Sequence, residues 1–365
     1  MSGTKGQLRE GMANKAVMDI VSIPEAIEWQ ARHAEEGGAP GTARVIRALL
    51  SLEDSNAATA RRIFGWQGLS VKDAMPLRIA AGLHYLLLNG DEPRLADVYA
   101  GRINDQGQVD ALVRETVERF DAVLMPWLDG PPQTNEAGRS ASIVAGLCWL
   151  AGKVQPRFEL LEIGASAGIN TMMGRYRFDL DGVPVGPSGS RMVIAPEWRG
   201  PPPPDTQPQI VDARGCDVKP VDLTDATALL KLKSYVWPEA RERMARIETA
   251  AAMAERMPPE IDRERAGPWV EEALARPQEE GTTRVLFHTI VWQYIPEAEQ
   301  RAIEAAMAKA AEAASEDKPL AWLSLETNRE TFRHELHARY WPGGGEPQLL
   351  ASAHPHGAWV EWMAG

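Results

Sequence analysis

The chain is poor in cysteine, in positive charge and in long apolar runs. Its 365 residues include only two cysteines, Cys148 and Cys216. Neither a disulfide framework nor a cysteine-based zinc cluster is therefore expected, and a reducing cytoplasm is the expected compartment. No apolar run is long enough to span a membrane, and residues 1–11 lack the apolar core of a signal peptide.

The shortage of positive charge limits the choice of partners. The 39 Lys and Arg against 51 Asp and Glu leave a formal net charge of −12. Nucleic acid is thus not expected as the main partner, because neutralising its phosphates needs Lys and Arg. Hydrophobic residues make up 44% of the chain and charged residues 25%, which is typical of one large globular domain or two.

The first part of the chain, residues 1–152, has only helical patterns. The clearest helix is predicted from Val109 to Leu128, where Val109, Leu112, Val113 and Val117 begin one apolar face. Further helices are predicted at 24–36, 42–52, within 76–88, and 135–150. We expect an all-helical N-terminal domain that acts as a lid or binds substrate.

From residue 153 to 365 strands and helices alternate. Strands are predicted at 158–163, 209–217, around 260–265, 284–292 and 320–325, with a closing hairpin at 335–341 and 348–353. An insertion at about 177–209 carries a small hairpin, 176–180 with 191–195. This alternation predicts an α/β domain with a mostly parallel sheet and a C-terminal antiparallel hairpin.

The central feature is the stretch 158–170, Phe-Glu-Leu-Leu-Glu-Ile-Gly-Ala-Ser-Ala-Gly-Ile-Asn. It predicts a strand, a tight turn from Gly164 to Gly168, and a short helix over 169–175. Backbone N–H groups exposed at such a turn are expected to hold a polar or anionic ligand.

The turn resembles that of class I S-adenosylmethionine-dependent methyltransferases, which carry an acidic residue followed by three alternating glycines. Glu162, Gly164 and Gly168 match the pattern, and Ser166 replaces the middle glycine. The resemblance implies a Rossmann-like fold in which Glu162, Gly164, Ala165, Ser166 and Gly168 hold the cofactor.

The same resemblance extends to the second strand. The end of that strand in methyltransferases is similar to Gly215-Cys-Asp-Val-Lys-Pro220 here. The similarity implies that the Asp217 carboxylate accepts hydrogen bonds from the ribose hydroxyls of the cofactor. Strand four is followed in that family by a substrate-facing loop, here 288–294.

A serine hydrolase is the first alternative. Gly164-Ala-Ser166-Ala-Gly168 fits the Gly-x-Ser-x-Gly nucleophile elbow. Glu326, followed by His354 or His356, would complete a triad in the right chain order. However, an elbow is expected after several strands, and this turn follows the first.

A dinucleotide-binding turn is the weakest interpretation. It would require glycines at the positions of Ser166 and Ile169.

Six separate blocks of the chain together resemble a bacterial family known only as a domain of unknown function. The blocks are Gln133-Thr-Asn-Glu136 with Arg139, Leu161–Gly168, Arg214–Asp217 with Pro220, Trp237-Pro238, Val291–Tyr294 and His356-Gly357. The resemblance implies a methyltransferase-like fold and no particular reaction. One departure is that Arg265-Ala-Gly-Pro-Trp269, where methyltransferases often place an adenine-binding Asp, has no acid.

Substrate contacts are expected from the polar cluster Gln133, Asn135, Glu136 and Arg139, and from Tyr294. Asn135 could equally be a helix N-cap. His288 and Tyr294 are the candidates for a catalytic role. No histidine pair has metal-ligand spacing, so no metal is expected.

The sequence thus predicts an S-adenosylmethionine-dependent methyltransferase that acts on an unidentified small molecule or protein, without nucleic acid or membrane as a partner. The alternatives are the hydrolase and a methyltransferase-like binding protein that has no catalysis.

Overall fold

The computed structural model describes residues 22–68, 71 and 73–364. Residues 1–11, which lack a signal-peptide core, lie outside this part of the chain. The chain forms two compact units, and each is described by itself. Among the described residues, the first comprises those of 22–134 and 225–245, and the second comprises 135–224 and 246–364.

The first unit is helical in its described part. Its helices are α1 (Ile23–Glu36), α2 (Pro40–Arg47), α3 (Ala58–Phe64), α4 (Met75–Leu88), α5 (Leu95–Tyr99), α6 (Gln106–Arg119), α7 (Asp121–Leu124) and α9 (Ala226–Ser234). They enclose an aliphatic core that includes Ile27, Ile46, Leu49, Ile79 and Leu83.

The long helix predicted over 109–128 is interrupted. The apolar face from Val109 to Val117 is buried as predicted, but α6 ends at Arg119 and a 3-10 helix covers Met125–Asp129. The Asp121 carboxylate accepts the N–H groups of Ala58 and Thr59, both at 2.7 Å. This tertiary cap of α3 lies at the break, and periodicity alone does not reveal it.

The second unit is built on a nine-stranded sheet. Its strands are β1 (Arg157–Ile163), β5 (Glu197–Arg199), β6 (Gln209–Asp217), β7 (Glu260–Arg263), β8 (Thr283–Thr289), β9 (Leu320–Thr327), β10 (His334–Trp341), β11 (Gly344–Ala353) and β12 (Trp359–Trp362). Their order is β5-β12-β11-β10-β9-β8-β1-β6-β7. The run from β7 to β9 is parallel, and β9 to β12 are antiparallel.

The expected α/β architecture and closing hairpin are therefore confirmed, and the chain adds two strands that the sequence patterns did not predict. β12 follows the hairpin and pairs with β5 in parallel, Trp359 opposite Glu197. Residues 162 positions apart form this edge, which no local pattern indicates.

Helices cover both faces of the sheet. α11 (Ala266–Ala275) and α12 (Glu297–Glu312) pack on one face, over Leu161, Leu286 and Trp322. On the other, α8 (Ser140–Ala151) packs against β9 and β10. Nearly every residue of α8 is buried, so it belongs to the sheet domain, and the division falls at residue 134 instead of the expected 152. α10 (Arg241–Ala254) begins in the first unit and ends in the second.

The insertion differs from its prediction. β2 (Arg177–Leu180) forms its hairpin with β3 (Val183–Val185) around Asp181. The predicted partner segment supplies only β4 (Val193–Ile194), which pairs with β2 in parallel. After the central turn the chain forms a five-residue 3-10 helix, Thr171–Arg175, instead of a helix starting at 169.

Candidate functional site

The candidate site lies where β1 ends between its two parallel neighbours, β6 and β8. From β1, the sheet continues through β6 to β7 on one side and through β8 to β9 on the other. The strand order therefore reverses at β1. In open α/β sheets, ligands bind beyond the carboxyl ends of the strands at such a point. The turn Gly164–Gly168 therefore occupies the position at which a ligand is expected.

The N–H groups of this turn are bonded within the protein. Ala165 N–H donates to Cys216 O at 3.0 Å, and Gly168 N–H donates to Ala165 O at 2.8 Å. Ser166 N–H donates to Asp217 Oδ2 at 2.9 Å. Ile169 N–H donates to Asn135 Oδ1 at 2.8 Å. The expected cradle of exposed amides is thus wrong for these four groups, since the protein itself supplies their acceptors.

The glycines of the turn allow close internal packing. Gly164 and Gly168 have φ of 68° and 69°, a region that L side chains rarely occupy. A Cβ on Gly164 would lie 2.3 Å from Val291 Cγ2, and one on Gly168 would lie 2.6 Å from Pro259. The loop after β8 therefore contacts the turn directly.

Glu162 is enclosed beneath the turn. Its side chain is 1% exposed and accepts a hydrogen bond from the Thr171 hydroxyl. Burial raises the pKa of the Glu162 carboxyl to about 8, and the Asp217 charge acts in the same direction, while Thr171, Asn170 and Arg139 oppose the shift. The Asn170 amide is fully buried beside it without a well-aligned hydrogen bond. Direct ligand contact by Glu162, as predicted, would require this enclosure to open.

Ser166 has the backbone of a strained turn but no partner for a nucleophile. Its φ is 52°, unusual for a residue other than glycine. Its buried Oγ has no hydrogen-bond partner among the described residues. Neither His354 nor His356 is therefore bonded to it, while Glu326 bonds His288.

The motif residues from Asn135 to Arg139 have structural roles. Asn135 holds the turn through Ile169, as described above. Glu136 caps the 3-10 helix Ala137–Arg139 at Gly138 N–H, 3.1 Å, and accepts Arg246 Nε–H at 2.9 Å. Arg139 Nε–H donates to Pro355 O at 2.7 Å.

A second contact joins this motif to the His356-Gly357 block. A Cβ on Gly357 would lie 2.2 Å from the Gly138 carbonyl carbon, so the two backbones touch. Two of the six sequence blocks thus meet through a contact that only glycine permits. Gln133 belongs to the first unit.

A histidine–carboxylate pair lies at the adjacent strand ends. His288 Nδ1, at the end of β8, is 2.7 Å from Glu326 Oε1 on β9. The same oxygen accepts the N–H groups of Val291 at 3.0 Å and Trp292 at 3.2 Å. Sequence reasoning singled out both residues without pairing them, because they are 38 positions apart.

His334, at the start of β10, also lies at this end of the sheet. The sequence patterns did not indicate that it would lie near the site. Burial lowers its pKa to about 4, and the nearby positive charge of Arg139 lowers it further, whereas Glu326 opposes the shift. The imidazole is therefore neutral at pH 7. Arg139 acts electrostatically on both His334 and Glu162, so its charge lies near both side chains.

Tyr294 lies on the surface, 61% exposed, at the end of the 3-10 helix Trp292–Tyr294. Within residues 22–68, 71 and 73–364, no group of three or more His, Cys, Asp or Glu could hold a metal ion, and no helix is long and apolar enough to cross a membrane.

Comparison with known families gives a match over most of the chain. A family profile described as "Uncharacterized protein conserved in bacteria (DUF2332)" matches residues 24–362. Comparison with curated proteins and with solved structures found no match.

Proposed function

The chain belongs to this bacterial family, and we propose that its second unit binds S-adenosylmethionine at the end of β1 and transfers the methyl group to a small molecule or protein. The observation that carries the proposal is the strand order β7-β6-β1-β8-β9, with the glycine turn at the point of reversal. The cofactor would supply an electrophilic methyl group, and the protein would mainly have to position the acceptor.

Asp217 suits the ribose hydroxyls. Its Oδ2 and Oδ1 accept the N–H groups of Ser166 at 2.9 Å and Lys219 at 2.8 Å. An ionised carboxylate has about four acceptor sites, so these two bonds orient the group and leave capacity for a ligand. The residue is only partly buried, which supports the same role.

Glu264 suits the adenine amine. β7 ends at Arg263, and the next residue is Glu264, which is exposed. Glu264 directly precedes the segment 265–269, which contains no acid. Its N–H donates to Asp217 O at 3.2 Å, which brings the two strand ends together. We therefore assign to Glu264 the contact with the adenine amine, for which the segment 265–269 offers no acid.

A methyltransferase-like binding protein without catalysis is the second candidate. The observation that favours it is the internal use of four turn amides, which limits how closely a ligand can approach the turn. It predicts cofactor binding without transfer. Failure of a fluorophosphonate to label Ser166 in the folded protein would remove the hydrolase alternative.

Thermal unfolding with S-adenosylhomocysteine tests the proposal, with NAD and ATP as controls. A ligand at a hundred times its dissociation constant adds about 2.7 kcal/mol to the native state, which corresponds to roughly 5–10 °C for a unit of this size. A shift specific to S-adenosylhomocysteine is expected. An equal shift with NAD, or none with any of the three, would contradict the proposal.

A further inference from the structure

The proton positions in the His288–Glu326 pair follow from its contacts. Glu326 Oε1 accepts two backbone N–H groups as well as facing His288 Nδ1. Hydrogen bonds of this kind stabilise the ionised carboxylate, which can only accept. The proton of a neutral His288 ring therefore resides on Nδ1, and Nε2 carries a lone pair.

That lone pair is unsatisfied in the described structure, and so is the indole donor of a neighbouring ring. His288 Nε2 and Trp322 Nε1 are both buried without a hydrogen-bond partner among the described residues. The two rings lie edge to face with centroids 6.0 Å apart. Buried polar atoms nearly always have partners, and an acceptor and a donor on two neighbouring rings match the two hydrogen-bonding capacities of a hydroxyl or amine group.

We propose that His288 Nε2 is the proton acceptor for an O–H or N–H group of the substrate, whose heteroatom accepts a hydrogen bond from Trp322 Nε1–H. The X–H bond breaks, its electron pair stays on X, and the proton forms an N–H bond on Nε2. The resulting imidazolium is stabilised by the Glu326 carboxylate. This inference deepens the proposed function and rests on it for the location of the substrate.

The half-buried Trp292 ring covers one face of the His288 imidazole. It stacks on the imidazole with centroids 5.1 Å apart and planes at 19°. It follows Ile290, a β-branched residue with φ of 53°, and strained backbone of this kind is found at functional sites. Val291, between them, packs on Gly164. Movement of Trp292 would therefore uncover the His288 imidazole close to the glycine turn.

The protonation state is tested by ¹⁵N NMR of the histidine rings in the full chain, assigned through bonds from the backbone. In its neutral form, the His288 ring is expected to carry its proton on Nδ1 and not on Nε2, and Glu326→Gln is expected to weaken this preference. His337→Asn, which alters a histidine on β10, serves as the matched control and should leave it unchanged. A proton on Nε2 in the wild type would overturn the proposal, whether or not the variant folds.

Access is tested by carbethoxylation with diethyl pyrocarbonate, followed by mass spectrometry of the peptides. His288 is expected to react at least about tenfold faster in Trp292→Ala than in the wild type. Removing the stacked indole lowers the free energy of the local opening that exposes the imidazole. His337 should react equally in both. If His288 stays unmodified in Trp292→Ala while His337 reacts fully, the ring is sealed and the proposal is wrong. Neither measurement uses a cofactor, so failure to bind S-adenosylhomocysteine remains a separate result.

Discussion

The Asp217 carboxylate accepts the Ser166 N–H at 2.9 Å, and this bond joins the ends of two neighbouring parallel strands. The other carboxylate oxygen accepts Lys219 N–H at 2.8 Å in its own turn. One side chain therefore fixes the glycine turn and the turn after β6 together. Its role in any ligand contact depends on that arrangement.

Asp217→Ala should weaken both the fold and the cofactor site. Leaving a donor without its acceptor costs about 1–3 kcal/mol, and the proposed ribose contact would be lost as well. Chemical denaturation measures the first effect, and calorimetric titration with S-adenosylhomocysteine measures the second. Asp179→Asn, which alters a similar turn acceptor on β2, is the control. Unchanged affinity in Asp217→Ala would exclude the ribose assignment.

Gly164→Ala should destabilise the second unit for two reasons. A positive φ costs an alanine roughly 1–2 kcal/mol, and overpacking against Val291 adds about 1–3 kcal/mol. Gly182→Ala is the matched control, because that glycine has φ of 83° and nothing within 4 Å of an added Cβ. It should show only the first cost in the free energy of unfolding.

The contact with Val291 can be isolated by a double-mutant cycle. Gly164→Ala with Val291→Ala should lose less stability than the sum of the two single variants, because the smaller side chain relieves the clash. Strict additivity would mean that the two residues do not press against each other.

Glu162 should make stability fall as pH rises from about 4.5 to about 8. The carboxyl's pKa is raised in the folded protein from 4.5 to about 8, so the native state retains a proton that the unfolded chain releases. The stabilisation is complete below pH 4.5 and is lost as pH passes through the folded pKa. The slope is at most about 1.4 kcal/mol per pH unit.

Glu162→Gln removes this titration while keeping a neutral side chain of the same shape. Its free energy of unfolding, relative to the wild type, should therefore rise between pH 5 and pH 8. Urea denaturation of both proteins over that range measures the difference. Parallel pH profiles would show that Glu162 titrates normally in the folded state.

Asn135→Ala should cost about 1–3 kcal/mol of stability, because Ile169 N–H would lose its acceptor in a buried position. Asn89→Ala, at an exposed asparagine in the first unit, should change stability by only a few tenths of a kcal/mol. An equally small loss of unfolding free energy in Asn135→Ala would show that the Asn135 side-chain amide does not hold the turn. It would favour the prediction that this side chain contacts substrate.

Local sequence patterns were sufficient for much of the second unit. The apolar run 158–163 followed by glycines predicted β1 and its turn, and 209–217 matches β6 residue for residue. These features depend on side-chain periodicity and on glycine's backbone freedom, which act over a few residues. The end of β6 at Asp217 was also predicted, and the resemblance to methyltransferases pointed to this residue.

Tertiary structure alone decided how these parts are used. Cys216, Asp217 and Asn135 accept the N–H groups of Ala165, Ser166 and Ile169, so these amides do not form the expected cradle. His288 meets Glu326 because β8 and β9 are neighbours. Which side chains meet depends on strand order and on long crossovers, and neither is encoded in a local pattern. The sequence by itself thus determined the central parallel strands and the glycine turn, whereas the folded chain determined which atoms remain available to a ligand.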